Sequence, residues 1–149
     1  MAEGSPSAAA SILLADDDPS VLQVLALAMR RAGHTVTTAR DGAEALAALE
    51  TQRFNLLVLD ILMPGATGWE VLARAIEGTP QGIPLPKAIL ITGFNGEYVL
   101  DFGLLMEEGV SAMLLKPFNV ADFLEEVDRV LALEPHFTLP EKQQKAAAF

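Results

Sequence analysis

Four apolar runs in this 149-residue chain each end on a group able to do chemistry. Residues 12–15 lead into Asp16 and Asp17, 56–59 into Asp60, 88–91 into Thr92, and 112–115 into Lys116. Clustered carboxylates attract a hard divalent cation such as magnesium, which takes a few carboxylate oxygens and keeps several waters. A carboxylate held beside such an ion can act as a nucleophile toward phosphorus, giving an aspartyl phosphate. An ammonium and a hydroxyl close by would neutralise the oxygens of the transferring phosphoryl group. Each residue alone has a plainer reading: Asp60 as a turn cap, Asp16 and Asp17 as solvated acids. At successive run ends the five form a set.

These side chains must be positioned by strands. The unbroken run before Asp60 suits a strand buried on both faces, the habit of parallel sheets. An unpaired charge deep in such a sheet is too costly, so Asp60 belongs at the strand's C-terminal end, where Met63-Pro64-Gly65 turns the chain. Asp18 before Pro19 reads as N-cap and first helical residue. The helix that follows carries Val21, Leu22, Leu25, Ala28, Met29 and Ala32 at helical spacing and stops at Gly33. Residues 34–38 read as a strand, with His34 structural, and Asp41 caps a helix carrying Ala45, Leu46 and Leu49. Trp69, Leu72, Ala73 and Ile76 mark one face of a third helix, with Trp69 a packing residue. Residues 78–86, holding three prolines and two glycines, form a loop. A strand over 87–93, a fourth helix over about 95–108, a strand over 111–115 and a last helix bearing Val120, Phe123, Leu124, Val127, Val130 and Leu131 complete the pattern.

Five strands alternating with five helices predict an α/β fold, a doubly wound parallel sheet with helices on both faces. The chemical groups then share the edge where such sheets bind ligands, with the second strand outermost. The fourth helix carries Tyr98, Val99, Leu100, Phe102, Leu104, Leu105 and Met106, more apolar surface than one core-facing stripe needs. An exposed remainder would serve a homodimer or a protein target.

Composition narrows the function. With 51% hydrophobic residues the chain fits one globular domain. A net charge of −10 repels phosphate backbones and argues against direct nucleic-acid binding. The absence of cysteine excludes disulfides and thiolate chemistry. No apolar run has spanning length, and the Ala/Ser-rich start lacks the features of a signal peptide, so no membrane role and a cytoplasmic location are expected. The expected organisation is a disordered leader over 1–10, one domain over 11–133 and a tail or linker over 134–149.

The motifs Leu14-Ala15-Asp16-Asp17-Asp18-Pro19, Leu59-Asp60-Ile61-Leu62-Met63-Pro64-Gly65, Ile91-Thr92-Gly93 and Leu115-Lys116-Pro117-Phe118 resemble the response-regulator receiver domains of two-component signalling, CheY-like proteins. The resemblance covers about residues 11–133. It implies a flavodoxin-like five-stranded sheet of order 2-1-3-4-5. It implies Asp60 as acceptor of a phosphoryl group from a sensor histidine kinase or phosphotransfer protein, with the chain catalysing only its own phosphorylation and dephosphorylation. It further implies Mg2+ held by Asp16, Asp17, Asp60 and the Leu62 backbone carbonyl, Lys116 pairing with the phosphate, a cis Lys116-Pro117 bond, and Thr92 as switch hydroxyl. The signalling face would comprise the fourth helix, with Tyr98 and Leu100, the fifth strand and the last helix. Met113 stands where the family usually has an aromatic switch residue.

Rival readings stay in view. Asp16-x-Asp18-x-Ser20 loosely matches the start of haloacid-dehalogenase-like phosphatases. A flavin binder would share the fold, but three acids in the first loop repel a phosphate. A degenerate receiver would act as a docking module without phosphorylation.

Overall fold

Side chains alternate between the two faces of a strand, and that alternation builds this molecule's two apolar layers. The computed structural model describes residues 9–93 and 109–137. Its strands are β1 (Ser11–Ala15), β2 (Thr35–Ala39), β3 (Leu56–Asp60), β4 (Lys87–Gly93) and β5 (Ala112–Lys116). They form one sheet in the order β2-β1-β3-β4-β5, with every neighbouring pair parallel. The helices among the described residues are α1 (Pro19–Arg31), α2 (Gly42–Thr51), α3 (Gly68–Glu77) and α4 (Val120–Leu131). The fourth helix expected over 95–108, with Tyr98 and Leu100, lies outside the described residues. So do positions 1–8 of the expected leader and 138–149 of the expected tail.

Leu13, Ala15, Leu57, Leu59 and Leu90 face one layer, where α2 and α3 supply Ala45, Val71, Leu72 and Ala75. Ile12, Leu14, Leu56, Val58, Ile89 and Ile91 face the other, covered by α1 through Leu22, Leu25 and Met29 and by α4 through Phe123, Val127 and Val130. All five residues of β3 are buried, as its unbroken apolar run requires.

Local signals set the helix starts. The Asp18 carboxylate accepts from the N–H groups of Ser20 and Val21, and Pro19 follows as first helical residue. Asp41 caps α2 by accepting from Glu44 N–H. Thr67 and Glu70 form a reciprocal capping box on α3.

The structure corrects the face of the third helix. Val71, Leu72 and Ala75 turn to the sheet, Trp69 and Ile76 lie half-buried at the rim, and Ala73 is exposed. Trp69 and Ile76 still pack against the same core layer, so Val71 and Ala75 widen the expected face and Ala73 alone leaves it. The second and fifth strands each begin one residue later than expected. His34 instead completes the exit from α1, donating its N–H to Met29 O, while its buried ring accepts the Ala10 N–H at Nδ1, 3.1 Å away. His34 is thus a structural residue.

At the pole opposite the acidic groups, the loop before β4 is tied to the chain leaving α4. Leu85 N–H donates to His136 O at 2.7 Å, and Pro84 bridges Phe137. The Lys87 ammonium donates to Leu131 O at 3.0 Å and to Leu133 O.

Two backbones meet without side chains between them where α2 supports the loop after β3. Gly42 N–H donates to Pro64 O at 2.9 Å, and a Cβ on Gly42 would stand 2.2 Å from Ala66 O. Gly42→Ala is expected to lower stability by roughly 1–3 kcal/mol, the usual cost of forcing a packed contact apart. A urea melt would show a lower midpoint. Gly93→Ala, with nothing within 4 Å of its new Cβ, should stay within about 0.5 kcal/mol of the parent.

Candidate functional site

The register of the parallel sheet brings the strand ends together. Asp60 pairs with Ile91, Thr92 with Leu115 and Gly93 with Lys116, so Asp60, Thr92 and Lys116 come from adjacent strands at one edge. Asp16 follows the last residue of β1, which pairs with Leu59. Carboxylate oxygens of Asp16, Asp17 and Asp60 lie within 4.8 Å of one another. Asp16 is fully buried, Asp60 is 6% exposed, and Asp17 is open to solvent.

Each buried charge has compensation. The Lys116 ammonium lies 2.8 Å from Asp16 Oδ2 and 3.5 Å from Asp60 Oδ2, bridging the two acids. Asp16 Oδ1 accepts the Asp18 N–H at 2.8 Å, and Asp60 Oδ1 accepts the Leu62 N–H at 3.3 Å. Burial raises the Asp60 pKa from 3.8 to about 6; the nearby Asp16 charge adds to that, and Lys116 and the Leu62 N–H only partly oppose it. Burial alone would lower the Lys116 pKa, but the two carboxylates outweigh it and hold the ammonium above its usual range.

Three carboxylates against one ammonium leave the cluster negative. Asp16 Oδ2 touches Lys116 as an ion pair, yet receives no well-aligned hydrogen bond. Such an oxygen beside an exposed carboxylate fits a hard cation with oxygen ligands, so the residues present suit magnesium.

The structure brings together Asp16, Asp17, Asp60 and Lys116, and the Leu62 peptide adjoins them through its N–H. Thr92 is buried at the same edge, but its hydroxyl donates to Gly93 O at 3.2 Å. Met113 is half-buried on β5 against the α2–α3 layer. The Lys116-Pro117 bond is cis. Sequence reasoning missed Gly68: a Cβ there would stand 2.6 Å from Asp60 O, so α3 packs directly on the backbone of the central acid. The signal was present as a small residue at a helix start, but only the tertiary contact reveals its partner.

An open parallel sheet with paired acids, a hydroxyl and a lysine at its C-terminal edge holds them where such sheets bind ligands. Residues 12–128 match the model of the response regulator receiver domain, and the chain belongs to that family. It is 39% identical over 107 residues to the transcriptional regulatory protein AfsQ1 of Streptomyces coelicolor, covering 72% of this chain and 44% of AfsQ1. It is 34% identical to the response regulator receiver protein CpdR of Brucella abortus, covering 80% of this chain and 95% of CpdR. A CheY-like receiver domain protein of Methanospirillum hungatei superposes with a TM-score of 0.70 at 29% identity, over 93% of this chain and 99% of that one. TrrA of Thermotoga maritima, solved in complex with Mg(2+)-BeF, gives a TM-score of 0.64 at 28% identity, over 80% and 97%. The chain thus spans less than half of AfsQ1 and nearly all of CpdR.

The domain is a receiver of two-component phosphorelay signalling, a signalling domain and not a classic enzyme. The phosphatase reading falls with this match, and Asp18, its second acid, is spent capping α1. No helix among the described residues is long and apolar enough to cross a membrane.

Because folding raises the Asp60 pKa, the folded state holds that proton more tightly than the unfolded chain does. The resulting stabilisation is fully present below pH 3.8 and is lost as pH rises through about 6. In chelator at pH 7.5, Asp60→Asn is therefore expected to be more stable than the parent by about 1–3 kcal/mol. Denaturation of both proteins from pH 4 to 8 should show the difference shrinking below pH 6.

Proposed function

We propose that Asp60 is the phosphoacceptor. The observation that carries this is a single carboxylate at the end of the central strand, buried, 3.5 Å from a lysine and clustered with two further acids. One Asp60 oxygen attacks phosphorus, the bond from phosphorus to the donor breaks, and an acyl phosphate remains on Asp60. Water later cleaves it and restores the carboxylate. Lys116 already lies within ion-pair distance of Asp60 and neutralises a phosphoryl oxygen in place of part of the carboxylate charge. Rotation of Thr92 from Gly93 O toward the phosphoryl group would supply a hydroxyl hydrogen bond.

Asp16, Asp17, Asp60 and the Leu62 carbonyl would hold Mg2+. When bound, the ion supplies Lewis-acid polarisation of the phosphoryl oxygens. That TrrA was solved with Mg(2+)-BeF supports this assignment by likeness. The donor would be a sensor histidine kinase or phosphotransfer protein, and the setting cytoplasmic. The domain would run from residue 11 to 133, with a leader before it and a tail after it. The output would be a homodimer or protein target gripped by the helix expected over about residues 95–108, β5 and α4, with Tyr98, Leu100 and Met113 among the responding residues. Transfer of the Thr92 change to that face is a shift of population.

Incubation with acetyl phosphate and magnesium, followed by intact-mass measurement, tests the reading. One phosphoryl group is expected on the parent and none on Asp60→Ala. Equal uptake by both would overturn it. Removing magnesium with EDTA should slow uptake at least tenfold.

A further inference from the structure

Asp16 is the most buried of the three acids, and among the described residues a single well-aligned hydrogen bond holds its carboxylate. The donor is the Asp18 backbone N–H, 2.8 Å from Asp16 Oδ1. Asp18 is itself locked by its other polar groups. Its Oδ1 accepts Ser20 N–H at 2.9 Å and Val21 N–H at 3.4 Å, and its carbonyl accepts Leu22 N–H at 3.1 Å. Its backbone is extended, with φ −90° and ψ 112°, and Pro19 fixes the next φ. One residue therefore joins the first turn of α1 to the orientation of a buried carboxylate. Its own side chain points to the helix, not to the cluster.

We propose that Asp18 is a positioning residue for the acidic site. Its carboxylate clamps the turn, the clamp aims its N–H at Asp16, and Asp16 thereby presents Oδ2 to the cation and to Lys116. The inference rests on the magnesium reading above. Magnesium demands near-ideal geometry, so a ligand carboxylate free to rotate costs affinity. Residues that orient metal ligands without touching the metal change affinity by about 10–100-fold when removed.

The test is a magnesium titration followed by backbone amide shifts of Asp16, Asp17 and Leu62, which needs no phosphoryl transfer. Asp18→Ala is expected to weaken binding about tenfold or more. Asp18→Asn keeps a side-chain oxygen at the cap and should bind within about twofold of the parent, because Asn caps as well as Asp does. Asp18→Gly guards against loss of the fold, since glycine at this position keeps most of the helix's stability but has no side chain to clamp the turn. It should weaken binding as Ala does. In acetyl phosphate assays the magnesium needed for half-maximal rate should rise for Ala and Gly. Binding by Ala and Gly equal to the parent overturns the proposal. So does Asn binding as weakly as Ala, which would assign the effect to charge. If the parent itself shows no magnesium-dependent shifts at Asp16, the magnesium reading fails and this inference falls with it; parental binding with unaltered variants refutes the inference alone.

Discussion

Lys116 is the counter-charge on which the site depends. Two carboxylates buried at a sheet edge would repel each other and lose their hydration, a cost of several kcal/mol per ion. The ammonium between them, 2.8 Å from Asp16 and 3.5 Å from Asp60, makes the arrangement tolerable without making it neutral. The unequal distances matter. Asp16, the more buried acid, receives the closer contact, while Asp60 is left with a pKa of about 6. Burial and like charge outweigh attraction at the residue proposed to react. A carboxylate whose charge is poorly compensated is one that gains from a cation or from becoming an acyl phosphate.

The fold serves this pairing by holding backbones close. The β4–β5 register sets Lys116 beside Gly93, and β3–β4 pairing sets Asp60 beside Ile91. Gly68 lets α3 sit against the Asp60 carbonyl, and Gly42 lets α2 sit against the loop that follows. Both helices therefore brace the turn that follows β3, in which the Leu62 N–H donates to the Asp60 carboxylate. Two apolar layers, one on each sheet face, hold these elements in place. The opposite pole is braced separately through Lys87, Leu85 and the chain beyond α4.

Much was legible in order and periodicity. The unbroken run from Leu56 to Leu59 dictated a doubly buried strand, and Asp18-Pro19, Asp41 and Gly33 punctuated helices through backbone chemistry that needs no distant partner. Asp16, Asp17, Asp60, Thr92 and Lys116 could be placed on one edge because parallel strands separated by helices all point the same way. On the third helix Leu72, Trp69 and Ile76 pack on the core as expected, and only Ala73 is exposed. Helical spacing allows more than one stripe, and Val71 and Ala75 join that face only in the packed structure.

What the sequence by itself determined was therefore the list of elements, their direction and the residues at their ends, because caps, turns and apolar periodicity act over a few residues. Only the tertiary structure decided which carboxylate oxygen meets which donor. Lys116 lies 56 residues from Asp60, and its closer contact with Asp16 arises from register and burial across the four strands β1, β3, β4 and β5. The close approaches at Gly42 and Gly68 are likewise invisible locally, since a missing Cβ has meaning only when another backbone occupies its place. The same holds for the shifted Asp60 carboxyl, whose pKa is set by desolvation, a property of the assembled sheet edge rather than of any short stretch of chain.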